Sequence, residues 1–165
     1  MDAFPWWRMR CEDDIFLTAP AITAELFRLD ARGFVADRAV QHKLVLTCRY
    51  MAVLVAAVLK AKGIPTRCRA GFAPYFQPGK SYDHWINQYW NEKQNRWVTI
   101  DADGFFTQEQ LGCDQYDMPL TAFDWAADAW LDIRSGKADG TRFVYAGGED
   151  GLRAALRQLF YDYHA

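Results

Sequence analysis

Three residues of the chain are of the types that carry out nucleophilic acyl transfer, and they come in the order Cys48, His84, Asp101. A thiol attacks a carbonyl carbon only as thiolate, and the unpaired N–H groups and dipole of a helix N-terminus favour that form. Cys48 opens an apolar run, and Thr47 before it is of a residue type that caps helices. A histidine within reach of the sulfur serves as base and acid, and a carboxylate behind it fixes the ring's tautomer. Singly, each has an ordinary reading: a small core residue, a strand-start histidine, a turn former ahead of Asp103-Gly104. Their joint occurrence in this order points to chemistry.

The elements between them must bring the three together. Residues 48–62 read as a helix without a polar face, from Met51 through Leu59, stopped by Gly63 and Pro65. A helix apolar all round is expected to be buried on all sides. Segments 67–76, 84–90 and 96–101 are rich in aromatic and β-favouring residues and are separated by turn formers at 78–80 and 91–95, so they are expected to be antiparallel strands. Pairing Trp90 with Trp97 across the loop 92–95 sets Gln88 opposite Thr99 and Ile86 opposite Asp101. His84 then stands diagonal to Asp101 on one face, at roughly 7–8 Å between Cα atoms, and a one-residue slip would part them.

Elsewhere, Ile22, Leu26 and Leu29 share one face of a helix expected over residues 18–32, with Thr18 and Pro20 as start signals and Gly33 as the stop. Past Gly104, Phe123, Ala127, Trp130 and Arg134 recur at helical spacing, and Phe143-Val144-Tyr145 forms a short β-like run. Over residues 149–163, Leu152, Leu156, Leu159 and Tyr163 line up. The whole chain, 1–165, is expected to be one α+β domain with core motifs at 44–104 and a helical C-terminal extension at 121–165. The last stripe suggests packing on a partner subunit, making a homo-oligomer, or a natural chain that is longer.

Composition narrows the function classes. A net charge of -2 with Lys and Arg scattered along 165 residues lacks the basic stripe of a nucleic-acid binder. The longest apolar run, residues 51–59, falls far short of the roughly 20 residues a bilayer requires, and residues 1–10 have no apolar signal-peptide core. No membrane partner is expected, and the default location is cytoplasmic. The four cysteines, Cys11, Cys48, Cys68 and Cys113, form no CxxC pair, so neither a disulfide framework nor a metal site is encoded in an obvious way. No cofactor is expected. Cys68 and Cys113 read as structural thiols.

The stretch from Thr47-Cys48-Arg49-Tyr50 through Gly63-Ile64-Pro65 and Arg67, then Ala70-Gly71-Phe72, Asp83-His84-Trp85 and Trp97-Val98-Thr99-Ile100-Asp101, resembles the core motif set of the transglutaminase-like superfamily. The resemblance implies a papain-like fold in which a Cys-bearing helix packs on an antiparallel sheet that supplies His and Asp. It also implies acyl transfer from an amide to water, as a peptidase or amidase, or to an amine, as a cross-linking enzyme, on a peptide or protein substrate. The chain departs from the large animal cross-linking enzymes in having no room for their flanking β-sandwich and barrel domains, which weighs against calcium-regulated cross-linking. Asp101-Ala102-Asp103-Gly104 lacks the later ligands and terminal Glu of an EF-hand and reads as strand end plus turn.

The expected oxyanion donor is the backbone N–H of Cys48, and Gln41, His42 and Trp85 are candidates for a second donor. Tyr50, Tyr75, Phe76, Tyr82 and Trp85 are candidates for a substrate groove. Two other readings stand beside the first. One is an acetyl-transferring enzyme of the arylamine N-acetyltransferase kind, which would take an acetyl group on Cys48 from acetyl-CoA. The other is a catalytically silent domain of the same fold that binds peptides or proteins.

Overall fold

The computed structural model describes residues 17–103 and 108–165. The sequence readings that touch residues 1–10, Cys11 and Gly104 lie outside the described residues.

Among the described residues, five α-helices and six strands make an α+β fold: α1 (Ala19–Leu29), α2 (Cys48–Ala61), β1 (Thr66–Gln77), β2 (Lys80–Asn91), β3 (Arg96–Ile100), α3 (Gln108–Leu111), β4 (Asp124–Trp125), α4 (Ala126–Arg134), β5 (Phe143–Tyr145), β6 (Glu149–Asp150) and α5 (Gly151–Tyr163). The six strands form one sheet in the order β4-β1-β2-β5-β6, with β3 also paired to β2. The start of α1 follows from local chemistry: the Thr18 side chain accepts from the Ala21 N–H and Pro20 occupies the first turn. The β2–β3 hairpin has the register read from its loop length, with Gln88 opposite Thr99 and Trp90 opposite Trp97. Its two indoles meet edge to face at 5.7 Å.

Three expectations require correction. The sheet is mixed rather than antiparallel throughout, because β5 runs parallel to β2. The segment 121–165 is not a helical extension, since it contributes β4, β5 and β6 to the sheet. β5 is the short run read at Phe143-Val144-Tyr145, whereas β4 and β6, of two residues each, are too short to leave an alternating pattern in the sequence. Helix α2 is not buried on all sides: Ala52, Leu54 and Ala56 are buried, and Val53, Val55, Val58 and Leu59 are half-buried. Among the described elements, α2 packs chiefly on β1, β2 and α1, which leaves part of its circumference thinly covered.

Helix α5 turns a different face inward from the one its leucines suggest. Ala154, Ala155 and Gln158 are buried, while Leu152, Leu156 and Tyr163 are exposed. Small residues allow close approach to the cluster of Phe72, Ala129 and Phe143, and the larger apolar side chains stay outside. The expected homo-oligomer would have to form on that open stripe. The helix is anchored instead by Asp162, whose carboxylate accepts from Arg69 at 2.8 Å and from the Ala70 N–H at 2.9 Å.

Gln158 is fully buried, and among the described residues neither its amide nitrogen nor its oxygen has a hydrogen-bond partner. An unpaired buried amide costs about 1–3 kcal/mol, and an apolar side chain of similar shape avoids that cost. Gln158→Met is therefore expected to raise stability by about 1 kcal/mol or more. A midpoint in urea unfolding that stays the same or falls would contradict this account.

Candidate active site

Both β3 and β5 lie on the same edge of β2, because β1 occupies the other. β3 pairs with residues 87–91 and β5 with residues 81–82. Among the described residues, the intervening positions 83–86 have no strand partner on that edge, and this interval contains His84. Asp83 is tied down by its side chain, whose Oδ1 accepts from the Ala146 N–H at 2.7 Å.

Cys48 is the first residue of α2 and is half-buried. Thr47 takes the N-cap position with extended backbone, yet its side chain makes no capping bond to the first turn. The expected cap is thus present in backbone only. The first-turn N–H groups take no bond from the Thr47 side chain, and they are the groups that favour a negative charge at that end.

His84 is 1% exposed, and its Nε2 lies 2.9 Å from Asp101 Oδ2. The thiol of Cys48 acts on the same ring and favours its charged form. Asp101 is 4% exposed, and its oxygens are fully engaged: Tyr75 donates its hydroxyl to Oδ2 at 2.7 Å and the Asp103 N–H donates to Oδ1 at 3.1 Å. The latter bond makes the strand end plus turn expected at 101–103. Phe76 covers the imidazole at 4.8 Å between ring centroids and Tyr75 at 6.3 Å.

Burial by itself would strip the proton from His84. The hydrogen bonds and charges of Asp101 and Cys48 outweigh it and hold the imidazole's pKa up at about 10. Asp101 shows the matching balance: burial pushes its carboxyl up, but the hydrogen bond and charge of His84, with help from Tyr75, bring it below the ordinary value. The two shifts together favour an imidazolium at His84 facing the Asp101 carboxylate.

Of the second-donor and groove candidates, Trp85 is buried in a cluster with Ala52 and Ala70, against which Cys48 packs. Tyr50 lies beneath the guanidinium of Arg49. Gln41 and His42 are exposed on a 3₁₀ turn, and among the described residues no hydrogen bond links either to Cys48, His84 or Asp101. Tyr82 points to the hairpin tip and donates to Gln77. The bond from Tyr75 to Asp101 was not foreseeable from strand alternation, because β1 has a register shift between Ala73 and Gln77 that breaks the period of two. Burial raises the thiol of Cys68 and, more weakly covered, that of Cys113, in keeping with inert structural cysteines.

Among the described residues no helix is long and apolar enough to cross a membrane. Comparison with curated proteins and with solved structures gives no match. One family model matches, that of the transglutaminase-like superfamily, over residues 28–102. This stretch contains α2, β1, β2 and β3 with Cys48, His84 and Asp101. Over residues 28–102 the chain is similar to the core of the transglutaminase-like superfamily.

Proposed function

We propose that the chain is a cysteine-dependent acyl-transfer enzyme acting on amide bonds, as a peptidase or amidase when water is the acceptor and as a transamidase when an amine is. Similarity to the superfamily suggests cysteine-dependent acyl transfer or peptidase activity in general. The observation that carries the finer reading is the buried 2.9 Å hydrogen bond between His84 and Asp101, with the Cys48 thiol at the start of α2 acting on the same imidazole.

In the proposed cycle the Cys48 thiolate attacks the amide carbonyl carbon. A C–S bond forms, and the carbonyl electron pair moves to oxygen, where the Cys48 backbone N–H stabilises it. When the oxyanion collapses, the C–N bond breaks and His84 Nδ1–H gives its proton to the departing amine. Water or a second amine then attacks the thioester, His84 takes up the proton, and the sulfur leaves as thiolate. Asp101 holds Nε2–H throughout, so that Nδ1 always faces the reacting atoms.

Peptide-mapped labelling with a thiol-directed activity probe tests this. Cys48→Ala is expected to lose the label, and His84→Ala to slow labelling at position 48 by about 10²-fold at pH 7. The labelling of Cys68 and Cys113 should stay constant, which controls for folding. Labelling of Cys48 that follows a free-thiol pKa of about 8.5 and ignores His84→Ala would favour the silent binding domain. An acetyl adduct on Cys48 after incubation with acetyl-CoA would favour the acetyltransferase reading.

A further inference from the structure

Arg49, the neighbour of Cys48, is held in a way that the acyl-transfer cycle does not use. Its guanidinium carbon lies 5.6 Å from the ring centroid of Tyr50, 5.2 Å from that of Trp85 and 5.0 Å from that of Tyr161. The three rings come from α2, β2 and α5, so elements from both ends of the described chain fix one cation beside the thiol. Cys48 and Tyr161 pack against the same cluster of Ala52, Ala70 and Trp85.

Four arginines around the sheet have carboxylate partners: Arg69 with Asp162 at 2.8 Å, Arg96 with Asp117 at 2.5 Å, Arg142 with Asp124 at 2.5 Å and Arg157 with Glu149 at 2.8 Å. Arg67 on β1 stacks on Trp97 but spends its Nε–H on Gln88. Arg49 is exposed and, among the described residues, is paired with no carboxylate. Rings cover the faces of a guanidinium and leave its N–H edges outward, where they match a carboxylate in a two-pronged hydrogen bond. The placement also runs against helix preference. A cation in the first turn opposes the helix dipole, and that turn of α2 has no acidic residue to offset it. An anion bound there would meet both the guanidinium and the positive end of the helix.

We propose that Arg49 is a specificity residue of the Cys48 site, and that the substrate carries a carboxylate close to the scissile amide, as a glutamyl or aspartyl peptide does. The proposal rests on the acyl-transfer reading and names its substrate class. Space for the remainder of such a substrate adjoins the same ring. Tyr161 borders an open cleft of about 370 Å³ whose lining includes Arg153, Leu156 and Phe160.

The test compares alkylation of Cys48 by two reagents of equal size, the α-amides of N-chloroacetyl-glutamate and N-chloroacetyl-glutamine, followed by peptide mapping in wild type, Arg49→Gln and Arg49→Lys. Wild type is expected to prefer the glutamate reagent by about tenfold, the scale of one charge-assisted hydrogen bond. In Arg49→Gln the preference should fall to about one, and Arg49→Lys should keep part of it. No preference in wild type, or a preference that survives Arg49→Gln because both reagents slow alike, would overturn the proposal. The latter result would leave Arg49 serving the thiolate alone. A wild-type Cys48 that reacts with neither reagent faster than a free thiol would instead remove the acyl-transfer reading itself, and this proposal with it.

Discussion

Asp101→Asn is expected to drop the pKa of His84 from about 10 to below the ordinary 6.5. The isosteric amide keeps the shape but loses the charge that opposes burial, and a side chain that is 1% exposed then favours the neutral ring. A neutral imidazole at pH 7 no longer balances a thiolate at Cys48, so alkylation of that cysteine should slow by about 10²–10⁴-fold. Ring NMR signals of His84 followed across pH, with only His42 and His164 as other histidines, read the titration directly. A His84 that still titrates near 10 in the variant would refute this.

The same substitution has a stability signature with a definite sign. The raised value of His84 stabilises the fold fully below 6.5, and this contribution is lost as pH rises through about 10. The lowered value of Asp101 stabilises the fold above the ordinary 3.8, and this contribution is lost as pH falls through its depressed value. The deficit of Asp101→Asn against wild type should therefore be greatest between pH 4 and 6.5 and should shrink toward pH 10. Removing one partner of a buried ion pair costs about 3–5 kcal/mol, which sets the scale of that deficit in urea unfolding.

Gly71→Ala is the second large effect. Gly71 pairs across the sheet with His84, and a Cβ at this position would meet the backbone oxygen of Asp124 at 2.5 Å and the Phe123 ring at 2.5 Å. The ring has some freedom, but the oxygen belongs to β4 and cannot turn aside. Relief requires β4 to move away from β1, where Gly71 faces Trp125 and Phe72 faces Asp124. The displacement would also strain the grip of Asp124 on Ser81 and Arg142. Overpacking of this kind costs about 1–3 kcal/mol, and a backbone obstacle places it at the upper end. An unfolding midpoint indistinguishable from wild type would show that β4 yields without cost.

These two positions also show what the sequence made legible. The approach of His84 to Asp101 followed from one countable quantity, the four residues between the paired strands, which set Trp90 against Trp97 and everything beyond them in order. The helix start at Cys48 followed from the contrast between Thr47 and the apolar run. The bond from Tyr75 to Asp101 was hidden, because a bulge severs position from facing direction. The inward face of α5 was hidden for another reason. Leucines outweigh alanines in any hydrophobic pattern, yet close packing against Phe72 and Phe143 selects the smaller residues. β4 and β6, of two residues each, had no pattern to read.

The clasp of Asp162 on Arg69 and Ala70 joins positions more than ninety residues apart in the chain. Synthesis proceeds from the N-terminus, so the ribosome exposes the thiol, the imidazole and the carboxylate well before the helix bearing Tyr161 and Asp162 emerges. Long-range closures of this kind form late, because the chain between them must first lose its freedom. The aromatic cradle of Arg49 is thus the last part of the site to be assembled, and a nascent chain holds its reactive groups before it holds the means to choose among substrates.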